Sequence, residues 1–430
     1  MQLSLPGTLR MVWDALMPQR SSRRTHALAV LEPHAGVVSL SARSAFASLI
    51  EALGLRAGDE IAMSAINIGD MARLAEAYGL RVVPVAVDPH TMRPDVRALA
   101  AAITPRTKMF VAAYLFGGRT SLAQCSTITR AHGVTLVADA AQAFGSENSD
   151  DEPRWLMDED ADVTLLSFGS IKTATAFGGG VAVCRDHALA DRMRVVQASW
   201  ERRGRRKHLR RALTYLAFGA CMRPRTWPVV LWFVRCRGLE PDAALNELMR
   251  GFGAGTSPEA LRDAVRRRPD SGLEATVARR LARGVDRSVR RRQEVGRAIG
   301  RQLGMHLVGN RAAAHAWWML PVACRDPLER QRLRSALLRS GFDAVPIEAT
   351  TYVDLGVTHG SLPPVRSLQH ALILPSPHGM SMRAALRMAE IVREEMTADP
   401  ARMGRLRPVI AAASVDPAPV AEPVESISWR

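Results

Sequence analysis

The sequence predicts an α/β protein, with a large domain on a mostly parallel, doubly wound sheet followed by a small C-terminal α+β domain. Three observations lead there. The chain has 430 residues, too many for one compact core, so a large domain with a smaller companion is the expected division. Apolar residues make up 47% of it and charged residues 23%, the mix of a chain able to bury a core. From Ala35 to about Val196, helical and strand patterns alternate at short intervals, the mark of strands joined by covering helices.

Ser44 to Leu53 has apolar residues on one helical face, and Glu60 to Met63 is a short strand. Met71 to Tyr78 is a helix closed by Gly79, which can take the left-handed conformation at a helix end. Leu80 to Val87 follows as a strand, Pro94 to Ile103 as a helix and Lys108 to Tyr114 as a strand. Leu122 to His132 is a helix closed by Gly133, leading into the buried strand Val134 to Ala138. After the polar loop Ser146 to Asp160 come strands Val163 to Ser167 and Gly180 to Cys184. The C-terminal part reads as a long helix from about Leu273, a strand (Ala316 to Val322), a helix (Leu328 to Ser340), an extended stretch (Ala344 to Ile347) and a last helix (Arg383 to Glu395). The chain thus divides into an N-terminal arm (1–34), a large domain (35–200), a basic and apolar insertion (201–270), a small domain with its linking helix (271–396) and a tail (397–430). The tail is expected to be disordered, since Val415 to Arg430 is rich in Pro, Ala and Glu. No internal repeat is found.

Composition narrows the setting. Five scattered cysteines, never spaced C-x-x-C, outline neither a disulfide framework nor a zinc site. A reducing cytoplasm fits best. The Ser22-Arg23-Arg24-Thr25 segment has too short an apolar run behind it, ending at Glu32-Pro33, to read as an export signal. A net charge of +16 raises the question of nucleic acid. The excess, however, is arginine on helical stretches (Arg202 to Arg211, Arg262 to Arg268, Arg279 to Arg301) without interleaved aromatics. A solvated basic surface is the reading, and no nucleic-acid partner is expected.

The chemistry is carried by two segments. Val137-Ala138-Asp139-Ala140-Ala141-Gln142 ends a buried strand in a carboxylate at the carboxyl edge, where open α/β sheets place ligands. Thirty-three positions after Asp139, the segment Ser167-Phe168-Gly169-Ser170-Ile171-Lys172 ends in a lysine, with Gly178-Gly179-Gly180 beyond. Pyridoxal phosphate needs such a pair: an amine for the Schiff base, and an anion that keeps the pyridine nitrogen protonated so that the ring accepts electrons. Singly, each residue is unremarkable, a surface lysine or a helix cap. In order and at this spacing, they point to that cofactor.

These segments resemble the DegT/DnrJ/StrS family of sugar aminotransferases, which show Asp-x-Ala-Gln or Asp-x-Ala-His and then Ser-Phe-x-x-x-Lys followed by glycines. Similarity extends through Gly58-Asp59-Glu60-Ile61, Val85-Ala86-Val87-Asp88, Ile103 to Lys108 and Tyr114-Leu115-Phe116-Gly117, with a weaker echo in Leu374-Pro375-Ser376-Pro377-His378. The resemblance implies the pyridoxal-phosphate transferase fold type I and a homodimer. It implies Lys172 as Schiff-base lysine and proton shuttle, Asp139 on the pyridine nitrogen, Gln142 on the ring hydroxyl and Ser167 on the phosphate. It also implies ping-pong transfer of an amino group from an amino-acid donor, glutamate by family habit, to a keto sugar, nucleotide-linked in most relatives.

Three departures qualify it. Where the family has Ser-Gly-Thr-x-Ala-Leu at the phosphate loop, this chain has Ser41-Ala42-Arg43-Ser44-Ala45-Phe46. Arg43 can bind phosphate as a charged donor and Ser41 or Ser44 can supply a hydroxyl. The stretch that normally stacks an aromatic on the pyridine is Ala65-Ile66-Asn67-Ile68, so either Ile68 covers the ring or an aromatic arrives from elsewhere. The partner-subunit Asn-x-Arg segment is replaced by Arg267-Arg268-Pro269-Asp270-Ser271. Residues 202–234 alternate a basic run with two apolar runs too short to span a bilayer. They read as a buried cap or as a peripheral membrane contact on the inner face. Two alternatives to the keto-sugar reading stay open: a hydrophobic or lipid-linked ketone as acceptor, and a regulatory or scaffold role without turnover.

Overall fold

The computed structural model describes residues 12–13, 31–146, 156–221, 226–236, 257–347, 352–360, 362 and 365–397. The tail expected to be disordered and most of the expected N-terminal arm lie outside these residues.

Short runs of Val, Ile, Ala and Met, buried on both faces, make the central sheet. Its seven strands are β1 (Ala35–Ser39), β2 (Glu60–Ser64), β3 (Arg81–Val85), β4 (Thr107–Ala113), β5 (Thr135–Asp139), β6 (Val163–Ser167) and β7 (Gly180–Cys184), in the order β1-β7-β6-β5-β4-β2-β3. β3, β2, β4, β5 and β6 pair in parallel, and β7 runs antiparallel to both β6 and β1. Parallel neighbours need covering crossovers, and the middles of the strands are accordingly mostly apolar, with Arg81 and Lys108 near strand starts as exposed exceptions. Helices α1 (Ala42–Ala52), α2 (Gly69–Ala77), α3 (Val96–Ala102), α4 (Ala123–Ala131) and α5 (His187–Ala198) supply the cover. Asp95 and Asp186 cap α3 and α5 by accepting two backbone N–H bonds each. One core layer gathers Phe46, Leu49, Ile50, Ile61 and Leu74, and the other Phe110, Leu136, Phe144 and Phe168.

The insertion holds α6 (Arg205–Cys221), α7 (Trp227–Cys236) and α8 (Pro258–Val265). Among the described residues, no helix is long and apolar enough to cross a membrane. The linking helix expected in one piece is two, α9 (Ser271–Arg283) and α10 (Arg287–Leu303). Gly284, at φ 57°, breaks them apart, and Asp286 starts α10 by accepting the N–H groups of Ser288 and Val289. The small domain then packs α10, α11 (Pro327–Arg339) and α12 (Met382–Thr397) with a three-stranded antiparallel sheet of β8 (Leu320–Val322), β9 (Val345–Pro346) and β10 (Leu372–Leu374). Val295, Ile299, Leu333 and Met388 are in its core. The strand expected from Ala316 shortens to β8, because Trp317 takes a positive φ of 51° that ends extended backbone.

Candidate active site

Two neighbouring strands deliver the site. β5 and β6 are in parallel register with Asp139 opposite Leu165, so Asp139 and Ser167 emerge at the same carboxyl edge. That edge is where a parallel sheet leaves backbone ends and side chains free to meet a ligand. Past Ser167 the chain turns through Gly169, whose carbonyl accepts from the Lys172 N–H, and returns to β7 through Gly178 and Gly179. Gly178 and Gly179 have φ of 157° and 88°. A Cβ on Gly180 would lie 2.3 Å from the Ala42 backbone nitrogen, so only glycine lets β7 pass so close to the first turn of α1.

Asp139 is buried, and one oxygen accepts from the Ala141 N–H at 3.0 Å. Burial pushes its carboxyl above the usual range, opposed by that N–H and by the Lys172 charge. Lys172 is partly buried by area. Its amine is lowered to about 8, chiefly by burial, with Asp139 opposing and Arg43 assisting. The two groups therefore sense each other across the site.

The residues expected to take phosphate lie at the start of α1. Ser41 is its N-cap, and its hydroxyl accepts from the Ser44 N–H at 3.1 Å. Ala42 provides the backbone beside Gly180. Arg43 pairs with Asp70 of α2 and still acts electrostatically on Lys172. Gln142 is buried, and its carbonyl oxygen accepts from the Phe116 N–H at 2.8 Å, so the amide NH₂ is not used in that bond. Ile68 packs against the large-domain core. Beside it Asn67 is 1% exposed, with Oδ1 taken by the Ile68 N–H and Nδ2 without a partner among the described residues.

The aromatic ring beside the lysine comes from the small domain. The centre of the Trp318 ring lies 4.2 Å from Lys172 Nζ, and its indole N–H donates to the Ile171 carbonyl at 2.9 Å. The strap carrying it is held firmly. Trp317 is buried at positive φ, stacked on His315 at 4.1 Å, and its N–H donates to His315 Nδ1 at 3.0 Å. Burial holds His315 neutral, at about 3. Gly296 and Gly300 leave the room for the Trp317 indole, since a Cβ on either would fall 2.2 Å or 2.4 Å from it. Arg292, on the face of α10 marked by Val289, Val295 and Gly296, is 5% exposed and donates to Thr173 Oγ1 at 2.8 Å. Burial lowers it to about 10.

Trp318, Asn67 and Arg292 were not singled out by motif reading. Two signals existed: a Trp-Trp pair in a chain with 8 tryptophans, and an arginine at the apolar helical spacing 289, 292, 293, 296.

The donor set fits pyridoxal phosphate. A lowered amine and a buried carboxylate stand at adjacent strand ends, a ring lies against the amine, and a capped helix start is kept open by Gly180.

The architecture is that of the pyridoxal-phosphate transferases of fold type I, shared with solved structures at low identity. Helicobacter pylori PseC, an aminotransferase involved in the biosynthesis of pseudoaminic acid, superposes with a TM-score of 0.62 at 16% identity, covering 90% of this chain and 96% of its own. DesV of S. venezuelae, solved in complex with a ketimine intermediate, gives 0.59 at 21% identity over 89% and 91%. A DegT DnrJ EryC1 StrS aminotransferase from Brucella abortus gives 0.65 at 17% identity over 92% and 96%. By sequence, residues 27–223 match the model of the DegT/DnrJ/EryC1/StrS aminotransferase family. The L-glutamine:2-deoxy-scyllo-inosose aminotransferase of Streptomyces kanamyceticus is 32% identical over 194 residues, 43% of this chain. The chain matches 44% of that relative's length.

Proposed function

We propose that the protein is a pyridoxal-phosphate-dependent aminotransferase that moves an amino group from an amino-acid donor, glutamate by family habit, to a keto sugar. The observation that carries this is the pairing of the lowered Lys172 amine with the buried Asp139 carboxylate at the ends of adjacent strands. The match to a curated aminotransferase and to the family model supports it.

When bound, pyridoxal phosphate supplies the electron sink for loss of a proton from the carbon bearing the amino group. The chain's residues do the rest. Lys172 would hold the cofactor through its amine and, once released, would take a proton from the substrate carbon in one half of the exchange and deliver one to it in the other. An amine lowered to about 8 is part neutral near pH 7, as a base must be. Asp139 would accept from the protonated pyridine nitrogen. Ser41, the Ala42 N–H and Arg43 would hold the phosphate, with Ser167 alongside, and Gln142 would donate to the ring hydroxyl. Trp318 bounds the side of the lysine, and Ile68 would cover the ring by apolar contact.

The purified protein should be yellow, with a visible absorption band that borohydride abolishes, leaving the label on Lys172. Glutamate or glutamine should bleach the band, and a keto sugar should restore it. A protein that stays colourless after incubation with the cofactor rules the reading out.

We infer further that the enzyme is a cytoplasmic homodimer. Ile171, next to Lys172, is 51% exposed and forms an apolar lip that a second copy would cover. Sedimentation at micromolar concentration tests this, with a monomer as the contrary result. A peripheral membrane contact is favoured by one observation: Leu213, Val229, Trp232 and Phe233 of α6 and α7 are 47–66% exposed, and Arg206, Lys207 and Arg210 of α6 are exposed as well. Flotation with anionic vesicles, compared with neutral ones, decides it.

A further inference from the structure

Two buried guanidiniums share one carboxylate where the linking helices meet the candidate site. Arg280 of α9 and Arg292 of α10 are 8% and 5% exposed, and Asp286 is the carboxylate that acts electrostatically on both. Asp286 is already committed. One of its oxygens starts α10 by accepting from the Ser288 and Val289 N–H groups, and the other pairs with Arg280 Nη1 at 3.1 Å.

Arg292 is left over. Its Nη1 donates to Thr173 Oγ1, a neutral partner, and its Nε has no hydrogen-bond partner among the described residues. No carboxylate of those residues stands within ion-pair distance of it. Native interiors leave few such donors. Water can accept from a stranded N–H but leaves a buried charge unmatched, whereas a carboxylate supplies both the acceptor and the countercharge.

The place of this guanidinium gives it a function. α10 touches both loops of the site: Arg292 bonds Thr173, the residue after Lys172, and Gln293 Nε2 donates to the Gly145 carbonyl, just past Gln142. The segment Leu374 to His378, conspicuous in the sequence and without a role so far, closes in from the small domain. His378 Nδ1 lies 3.3 Å from Ser288 Oγ, one helical turn before Arg292. Burial, and next the Arg292 charge, lower that imidazole to about 4, so it is neutral and does not compete with an anion for Arg292. The charged groups acting on the Lys172 amine are Asp139 and Arg43. Arg292 thus stands farther from the reacting amine than those two do.

We propose that Arg292 binds the carboxylate of the amino-acid donor that is remote from the reacting carbon, which makes a dicarboxylic donor such as glutamate the preferred one. The proposal rests on the aminotransferase reading and names the donor for it. The Thr173 hydroxyl fixes the guanidinium plane, and Nε is the donor left to meet the ligand. Glutamine would put a neutral amide there and leave the buried charge unanswered.

The test uses full-length protein loaded with pyridoxal phosphate. Glutarate, a dicarboxylate with no amino group to react, is titrated by calorimetry against butyrate at matched ionic strength. Bleaching of the visible band is then timed with glutamate and with glutamine. Glutarate should bind more tightly than butyrate, and glutamate should bleach the band more efficiently than glutamine, each by about tenfold or more. Arg292→Gln should lose both preferences while keeping the band. An arginine with a structural role alone would instead lower Tm in that variant and leave both preferences intact, which overturns the proposal. A wild type that binds the two acids equally, or that bleaches equally with the two amino acids, overturns it too. These wild-type comparisons stand alone should Arg292→Gln fail to fold. A colourless protein would defeat the aminotransferase reading, whereas a yellow one without the dicarboxylate preference would defeat this proposal alone.

Discussion

Lys172 has its chemistry because of where its amine sits. An exposed lysine is almost wholly charged at neutral pH, whereas an amine lowered to about 8 is roughly a tenth neutral at pH 7. Cofactor capture by the apoprotein should therefore rise with pH and level off just above 8, and a stopped-flow pH profile that keeps rising toward 10.5 would contradict this. The same shift affects stability. Between about 8 and 10.5 the unfolded chain binds the proton that the native amine has given up, so apoprotein stability should increase with pH across that window. Chemical denaturation at several pH values, compared with Lys172→Ala, isolates the effect. Lys172→Ala should also lower turnover by about 10²–10⁴-fold, the usual contribution of a positioned proton-transfer group. Asp139 was visible in the sequence as a strand-end carboxylate, but the burial that raises it became visible only in the packed sheet.

At the scale of elements, the strap from His315 to Trp318 controls what stands beside the lysine. Its position depends on α10 more than on its own sequence. Gly296 and Gly300 open a groove for the Trp317 indole, and that anchor sets Trp318 against Lys172. Gly296→Ala should cost about 1–3 kcal/mol by overpacking, read as a lower Tm, and should shift the visible cofactor band by displacing Trp318. A band unchanged in that variant would mean that the groove does not position the ring. Trp318→Leu should leave Tm nearly unchanged but weaken cofactor binding, measured by dialysis. Most elements were legible because their periodicity and caps are local. β6 and β7 fall at the expected residues, and helices α1 to α4 within about two residues of expectation. The break at Gly284 and the early end of the strand before Leu320 were not legible, since each depends on a positive φ imposed by packing against other elements.

Across the whole molecule, arginine gives the chain its basic character. With a net charge of +16 as the one feature favouring it, any binding to duplex DNA should be non-specific and lost between about 50 and 200 mM salt. A gel shift that survives the higher salt would overturn that. By itself the sequence determined the alternation of strand and helix and the two segments that hold Asp139 and Lys172, because these rest on local pattern and fixed spacing. Only the tertiary structure decided which ring faces the lysine and that Arg292 is buried. Those features join residues more than a hundred positions apart, or on faces that exist only once the elements have packed, and no local pattern records such a meeting.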